Sequence, residues 1–218
     1  MHDVRRWLVA GCTVFTSACM FTGIAGSGKI VTEPRTVSGF SAVSLSGSGH
    51  VIVEQTGSES LTVTTDDNLL PYIRTEVHGN TLELGTKDPM TNLNPTEDIV
   101  YKLTVKNLDD VRISGSGQAD LKGLTENQLQ VRISGSGDMT GQGTVDNLDL
   151  RISGSGSYSG QQLQSKRATV GVSGSGSVVV NASEALNANV SGSGSVEYVG
   201  DPQVTQNVSG SGSVTHRR

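Results

Sequence analysis

The chain has 218 residues, and its 28 glycines make about 13% of it, nearly twice the usual ~7%. Apolar residues are 34% and aromatics only 4%, too few large side chains for a conventional core, yet moderate charge and orderly apolar alternation exclude wholesale disorder. A net charge of −5 argues against nucleic acid, whose binders carry basic surfaces.

Residues 1–25 read as a leader. Arg5 and Arg6 precede an uncharged run from Trp7 to Gly28, the layout of a secretory signal peptide. Both cysteines, Cys12 and Cys19, lie in this stretch, so the body has no disulfide framework and no thiolate metal site. Thr16-Ser17-Ala18-Cys19 is similar to a bacterial lipoprotein processing site, which makes Cys19 the candidate for lipid attachment. Val9-Ala10-Gly11-Cys12 fits that pattern with a shorter apolar stretch before it, and Gly23-Ile24-Ala25 offers ordinary cleavage after Ala25. An uncleaved anchor is the remaining alternative, since about 20 apolar residues span a bilayer. All routes imply export to the cell envelope.

Residues 26–218 read as one domain. From 26 to 113 the pattern is irregular, with strand-like runs at Val51–Gln55, Leu61–Thr65, Arg74–Val77, Thr81–Leu84 and Val100–Val105. Asp66 to Ile73 interrupts them, and Thr86 to Asp98, holding Pro89 and Pro95, reads as an exposed loop where function can sit. From 114 to 218 a repeat takes over. Ser-Gly-Ser-Gly begins at Ser46, Ser114, Ser134, Ser153, Ser173, Ser191 and Ser209, and from Ser114 onward the intervals are 20, 19, 20, 18 and 18 residues. A period near 20 is a solenoid signature.

Aligned copies show why. Leu45, Ile113, Ile133, Ile152, Val172, Val190 and Val208 stand immediately before each copy. Two residues earlier come Val43, Val111, Val131, Leu150, Val170, Ala188 and Gln206. After each copy alternation resumes with Val51, Ala119, Met139, Tyr158, Val178, Val196 and Val214. Alternate strand residues point to opposite faces, so these columns share one inward face. Each period is expected to form a strand, a glycine corner whose serines bond nearby backbone, a second strand and a looser third segment. Stacking at the ~4.8 Å strand spacing buries each column against its neighbours. The fold class is therefore all-β, a single-stranded parallel β-solenoid (β-helix) with short coils of about 18–20 residues.

These features resemble the bacterial putative auto-transporter adhesin, head GIN domain family. The resemblance spans Gly26 to Val214 and rests on Val37-Ser38-Gly39-Phe40, on Asp67-Asn68-Leu69-Leu70-Pro71-Tyr72-Ile73 and on the recurrent corners. It implies an exported β-solenoid, often a lipoprotein, with no established activity. Family corners are commonly followed by Asp; here only Asp138 fits, and His50, Gln118, Ser157, Ser177, Ser195 and Ser213 hold the other sites. No catalytic residue carries over.

Other motifs carry less. Gly23-Ile24-Ala25-Gly26-Ser27-Gly28-Lys29 nearly matches a phosphate-binding loop, but Ile30 replaces its magnesium-binding Ser or Thr. The corner serines lack nucleophile-elbow spacing, and His50, His78 and His216 sit in unrelated settings, at no metal-ligand spacing. Asp66, Asp67, Glu97 and Asp98 are an oxygen-rich candidate for calcium, although the corners lack the carboxylates of calcium-binding rolls. No cofactor is expected.

One outward column stands apart: Arg112, Arg132 and Arg151 recur two residues before the corner in successive coils. Stacking would bring these like charges close, with Asp110 and Asp149 two residues away, so the column is either an anion-binding stripe or a locally paired, solvated face. Asn189 and Asn207 continue it, as an amide ladder would. The function expected is non-catalytic, an exported envelope solenoid whose repetitive polar surface serves adhesion, binding or scaffolding, with an envelope glycan or another envelope protein as partner. Membrane contact is expected only through a leader lipid or anchor. A polysaccharide lyase or hydrolase and a subunit stacking end to end are the alternatives; the charged Thr215-His216-Arg217-Arg218 opposes uncontrolled stacking at one edge.

Overall fold

Strands make up 71% of the chain in the computed structural model, which describes residues 23–217 and winds them into a β-solenoid of about five turns. Cys12, Cys19 and most of the leader lie outside the described residues. The N-terminal block contains β1 (Ile24–Ala25), β2 (Ile30–Arg35), β3 (Ala42–Gly47), β4 (His50–Gln55) and β5 (Ser60–Asp66). After a 3₁₀ turn at Leu70–Tyr72 come β6 (Ile73–His78), β7 (Thr81–Thr86), β8 (Leu93–Asn94), β9 (Val100–Val105) and β10 (Asp110–Gly115). The repeats supply β11 (Gln118–Gly135), β12 (Asp138–Gly154), β13 (Ser157–Gly174) and β14 (Ser177–Gly192). Three shorter strands finish the chain: β15 (Ser195–Val199), β16 (Gln203–Gly210) and β17 (Ser213–His216).

The repeat stacks in register. Ile113 pairs with Ile133, Ile133 with Ile152, Ile152 with Val172 and Val172 with Val190, all in parallel ladders. Each of these side chains is at most 2% exposed. Burying one such branched residue is worth about 1.5–3 kcal/mol, so small side chains repeated in columns supply the core that the composition seemed to deny. Tyr158 fills the inside of its coil where Gly141 and Gly160 leave room; a Cβ on Gly160 would lie 2.4 Å from its ring.

Two expectations are corrected. The third segment of each coil is not loose: Thr125 and Glu126 pair with Thr144 and Val145, and β11 to β14 run as continuous strands. Register shifts at Leu121/Leu124 and Thr140/Gln142 break the two-residue alternation there, while Leu124, Val145 and Leu163 still point inward and are at most 3% exposed. Nor do the corner serines bond the backbone through their hydroxyls. Backbone amides do the work instead, Ser155 N donating to Gly135 O at 2.8 Å and, just after the corner, Ser157 N to Gly137 O at 3.0 Å.

The corner needs glycine twice. Gly154 has φ +122°, and a Cβ there would sit 2.3 Å from Gly135 O in the coil below. At Gly156 a Cβ would meet Gly137 O at 2.5 Å and Ile133 Cγ2 at 2.6 Å. Coils approach so closely at this edge that no side chain fits between them.

The N-terminal coils are mixed rather than purely parallel. β3 and β10 form rungs of the ladder, as do β4 and β9, but β2 pairs antiparallel to β5, β5 to β9 and β6 to β7, capping that end. The loop after Thr86 contains β8, which pairs with β1. At the other end β16 is exposed along its length, and among the described residues it pairs with β14 alone, so Val204, Gln206 and Val208 continue the inward columns uncovered.

Candidate functional site

The outward column that the sequence singled out is real in space. Ser44, Arg112, Arg132, Arg151, Gly171, Asn189 and Asn207 are consecutive register partners across β3, β10, β11, β12, β13, β14 and β16. Parallel pairing without offset places them on one line, rung above rung.

The three arginines differ in how they are held. Asp110, 9% exposed, accepts from both Arg112, through Nε at 3.3 Å and Nη2 at 2.5 Å, and Arg132, through Nη1 at 3.0 Å. Arg132 also donates to Gln130 Oε1 at 2.8 Å. One carboxylate thus offsets the repulsion between two stacked guanidinium groups. Arg151 is the loosest: its only partner among the described residues, Asp149, lies at 3.3 and 3.5 Å, and its side chain is 65% exposed against 50% for Arg112 and 40% for Arg132. The stripe is a pinned pair plus one available cation. Beyond it, Asn189 bonds Asn187 at 3.2 Å on its own strand, so the expected amide ladder to Asn207 is replaced by a sideways bond.

A groove of about 590 Å³ opens on this face, centred on Gly171. Arg132 and Arg151 stand on one side, Asn189 and Asn207 on the other, and Ser153, Thr169 and Ser173 flank it. Its size is that of a small-molecule site. The sequence reading missed it; the signal available was one glycine interrupting an otherwise large-residue column.

The other candidates do not assemble. His50 bonds Asp120 at 2.9 Å, His78 lies 3.4 Å from Glu76, and His216 stacks on Tyr198 with ring centres 5.0 Å apart. No described serine hydroxyl bonds a histidine, and no group of three or more His, Cys, Asp or Glu is placed to hold a metal among the described residues. Two of the carboxylates considered for calcium, Asp66 and Asp67, have another role, while Glu97 and Asp98 are exposed. Asp66 is fully buried and accepts from Thr96 Oγ1 at 2.6 Å, Gly28 N at 2.7 Å and Thr96 N at 2.9 Å. The Thr96 hydroxyl and amide, with the Gly28 amide, hold its pKa below the ordinary carboxylate value. Asp67 takes Ser27 Oγ at 2.6 Å and Lys29 at 3.1 Å, and Asn68 Nδ2 donates to Ala25 O at 2.8 Å. Residues 24–29, which mimic a phosphate-binding loop in sequence, are a strap clasped by Asp66, Asp67 and Asn68.

The family model for putative auto-transporter adhesin, head GIN domain, matches residues 39–202, most of the chain. The chain belongs to that family. No curated protein matches this GIN-domain chain. Among solved structures it is similar to a putative adhesin from Bacteroides fragilis, with TM-score 0.72 and 24% identity over 89% of this chain and 100% of that one. A putative lipid binding protein from Parabacteroides distasonis has TM-score 0.61 and 27% identity over 90% and 100% of the two chains. A putative adhesin from Parabacteroides merdae has TM-score 0.61 and 22% identity over 90% and 99%. These likenesses establish the solenoid fold, and the family's adhesin character points to a non-catalytic binding role at or near the cell surface.

Proposed function

We propose that this GIN-domain protein is an exported envelope module that holds an acidic glycan against its outward arginine face. The carrying observation is the in-register line of Arg112, Arg132 and Arg151 on a rigid parallel ladder, each side chain 40% or more exposed. Guanidinium groups pair carboxylates and sulfates in a bidentate fashion, and a column with rung spacing suits weak, repeated contacts along a polymer. The Parabacteroides protein named for lipid binding supports an anionic headgroup as the second reading. Among the described residues the exposed large apolar side chains are Tyr72, Met90, Val204 and Val208, none of which lines the arginine face.

Attachment to the envelope through Cys19 is part of the same proposal. Ile24 N donates to Asn92 O at 2.8 Å and Ala25 O accepts from Asn68, so cutting after Ala25 would delete β1 from the fold. Processing upstream of Ile24 keeps it. Mass spectrometry of the native N-terminus separates an acylated Cys19 from a start at Gly26. For the binding face, Arg112, Arg132 and Arg151 are replaced together by Ser and retention on immobilised alginate is measured. Loss of retention by a folded variant is expected, and unchanged retention contradicts the proposal. Sugar product released from alginate by the wild-type chain would overturn the non-catalytic reading.

A further inference from the structure

Gly171 is a glycine without a structural reason. Every other described glycine either has φ in the left-handed region or would place a Cβ 3.0 Å or less from a neighbour. Gly171 has neither property: the nearest atom to its added Cβ would be Arg151 Cγ at 3.9 Å, ordinary contact distance. It lies inside β13, paired on one side to Arg151 and on the other to Asn189. Glycine in a strand interior weakens the strand, and where neither a bulge nor crowding calls for it, it marks close approach of something else. What its missing side chain creates is the groove between Arg151 and Asn189.

We infer that this notch seats a single acidic sugar unit, and that Gly171 is the residue that admits it. The inference rests on the glycan reading above and gives it a defined position. Arg151 supplies the charge, because its guanidinium is the least committed of the three and faces the gap without a large neighbour on that side. A carboxylate or sulfate takes the guanidinium in a charge-assisted pair. Ring hydroxyls then meet Thr169, Ser173 and the amide of Asn189, groups that donate and accept. The open backbone at Gly171 allows the ring to lie against the sheet. Arg112 and Arg132, tied to Asp110, provide a field that holds the rest of the polymer rather than a seat.

The test uses the full chain, a hexameric oligogalacturonate as probe, and phosphatidylglycerol vesicles as the second arm. Gly171→Asn continues the neighbouring asparagines and fills the notch without disturbing the arginines. Oligogalacturonate affinity is expected to fall at least about tenfold in Gly171→Asn, the ratio produced by losing one or two hydrogen bonds to a charged ligand, with the melting temperature not lowered. If Gly171→Asn binds as wild type while the triple Ser variant loses binding, the notch is overturned and the stripe stands. Retained binding in the triple Ser variant overturns both. Capture of the vesicles but not the oligogalacturonate overturns the sugar as occupant in favour of a lipid headgroup.

Discussion

Two glycine-to-alanine changes one coil apart should act in opposite directions. In Gly154→Ala the methyl group would lie 2.3 Å from Gly135 O, roughly 1 Å inside contact distance, on a backbone with φ +122°. Holding a non-glycine residue in such a region costs about 1–3 kcal/mol. Relieving the overlap means lifting β12 away from β11 at the corner, which weakens Ser155 N to Gly135 O and Ser157 N to Gly137 O at about 0.5–1.5 kcal/mol each. Together the loss is about 2–6 kcal/mol, a large part of the ~5–15 kcal/mol that stabilises a typical domain. At Gly171 the same methyl meets nothing nearer than 3.9 Å and relieves a strand glycine, so Gly171→Ala should gain about 0.5–1 kcal/mol. Urea denaturation followed by circular dichroism reads both. A Gly154→Ala loss under about 1 kcal/mol, or two variants that behave alike, would refute the close-stacked corner.

Tyr158 buries a hydroxyl with no hydrogen-bond partner among the described residues, and burial pushes its pKa up; Tyr158→Phe should therefore raise stability by about 1–2 kcal/mol, and a lower melting temperature would contradict this. Because the bonds from Thr96 and Gly28 depress the pKa of Asp66, their contribution is complete above the unfolded value near ~3.9 and is lost as pH falls through the lower folded value. Protection of the amides in residues 24–28, taken relative to their intrinsic exchange rates, should accordingly hold at neutral pH and fall in acid below about pH 4, and protection that is indifferent to acid would show that Asp66 does not hold the strap. Asp110→Asn removes the charge shared by Arg112 and Arg132; stability should fall by about 1 kcal/mol while alginate retention rises, and weaker retention would argue against the cationic face.

The solenoid was legible because its two determinants are local and repeated. The corner glycines recur at every turn, and Ile113, Ile133, Ile152, Val172 and Val190 mark the inward face beside them. Other features follow from contacts that no local pattern encodes. Alternation is identical in parallel and antiparallel strands, so the reversal of β2, β5 and β6 was invisible. Register shifts near Leu121 and Thr140 disguised the third segment, although its Leu and Val residues were in plain sight. Asp66 read as part of an oxygen-rich calcium candidate because its true partners, Gly28 and Thr96, lie about thirty or more positions away. The arginine column could be read, but its division into a pinned pair and a looser member depends on the Asp110 carboxylate bridging two rungs. Gly171 was hidden by abundance, one glycine among 28, separated from the others only by the space around it.

The distance between Ser114 and Ser209 tests the ladder most directly. They are five rungs apart in the register and both exposed, so spin labels there, in a chain with Cys12 and Cys19 replaced by Ser, should lie about 24 Å apart at ~4.8 Å per rung. Electron–electron resonance giving one narrow distribution near that value is the predicted result. A broad distribution centred near ~50 Å, the reach of a flexible glycine-serine chain of that length, would contradict the stacked solenoid and the binding face built on it.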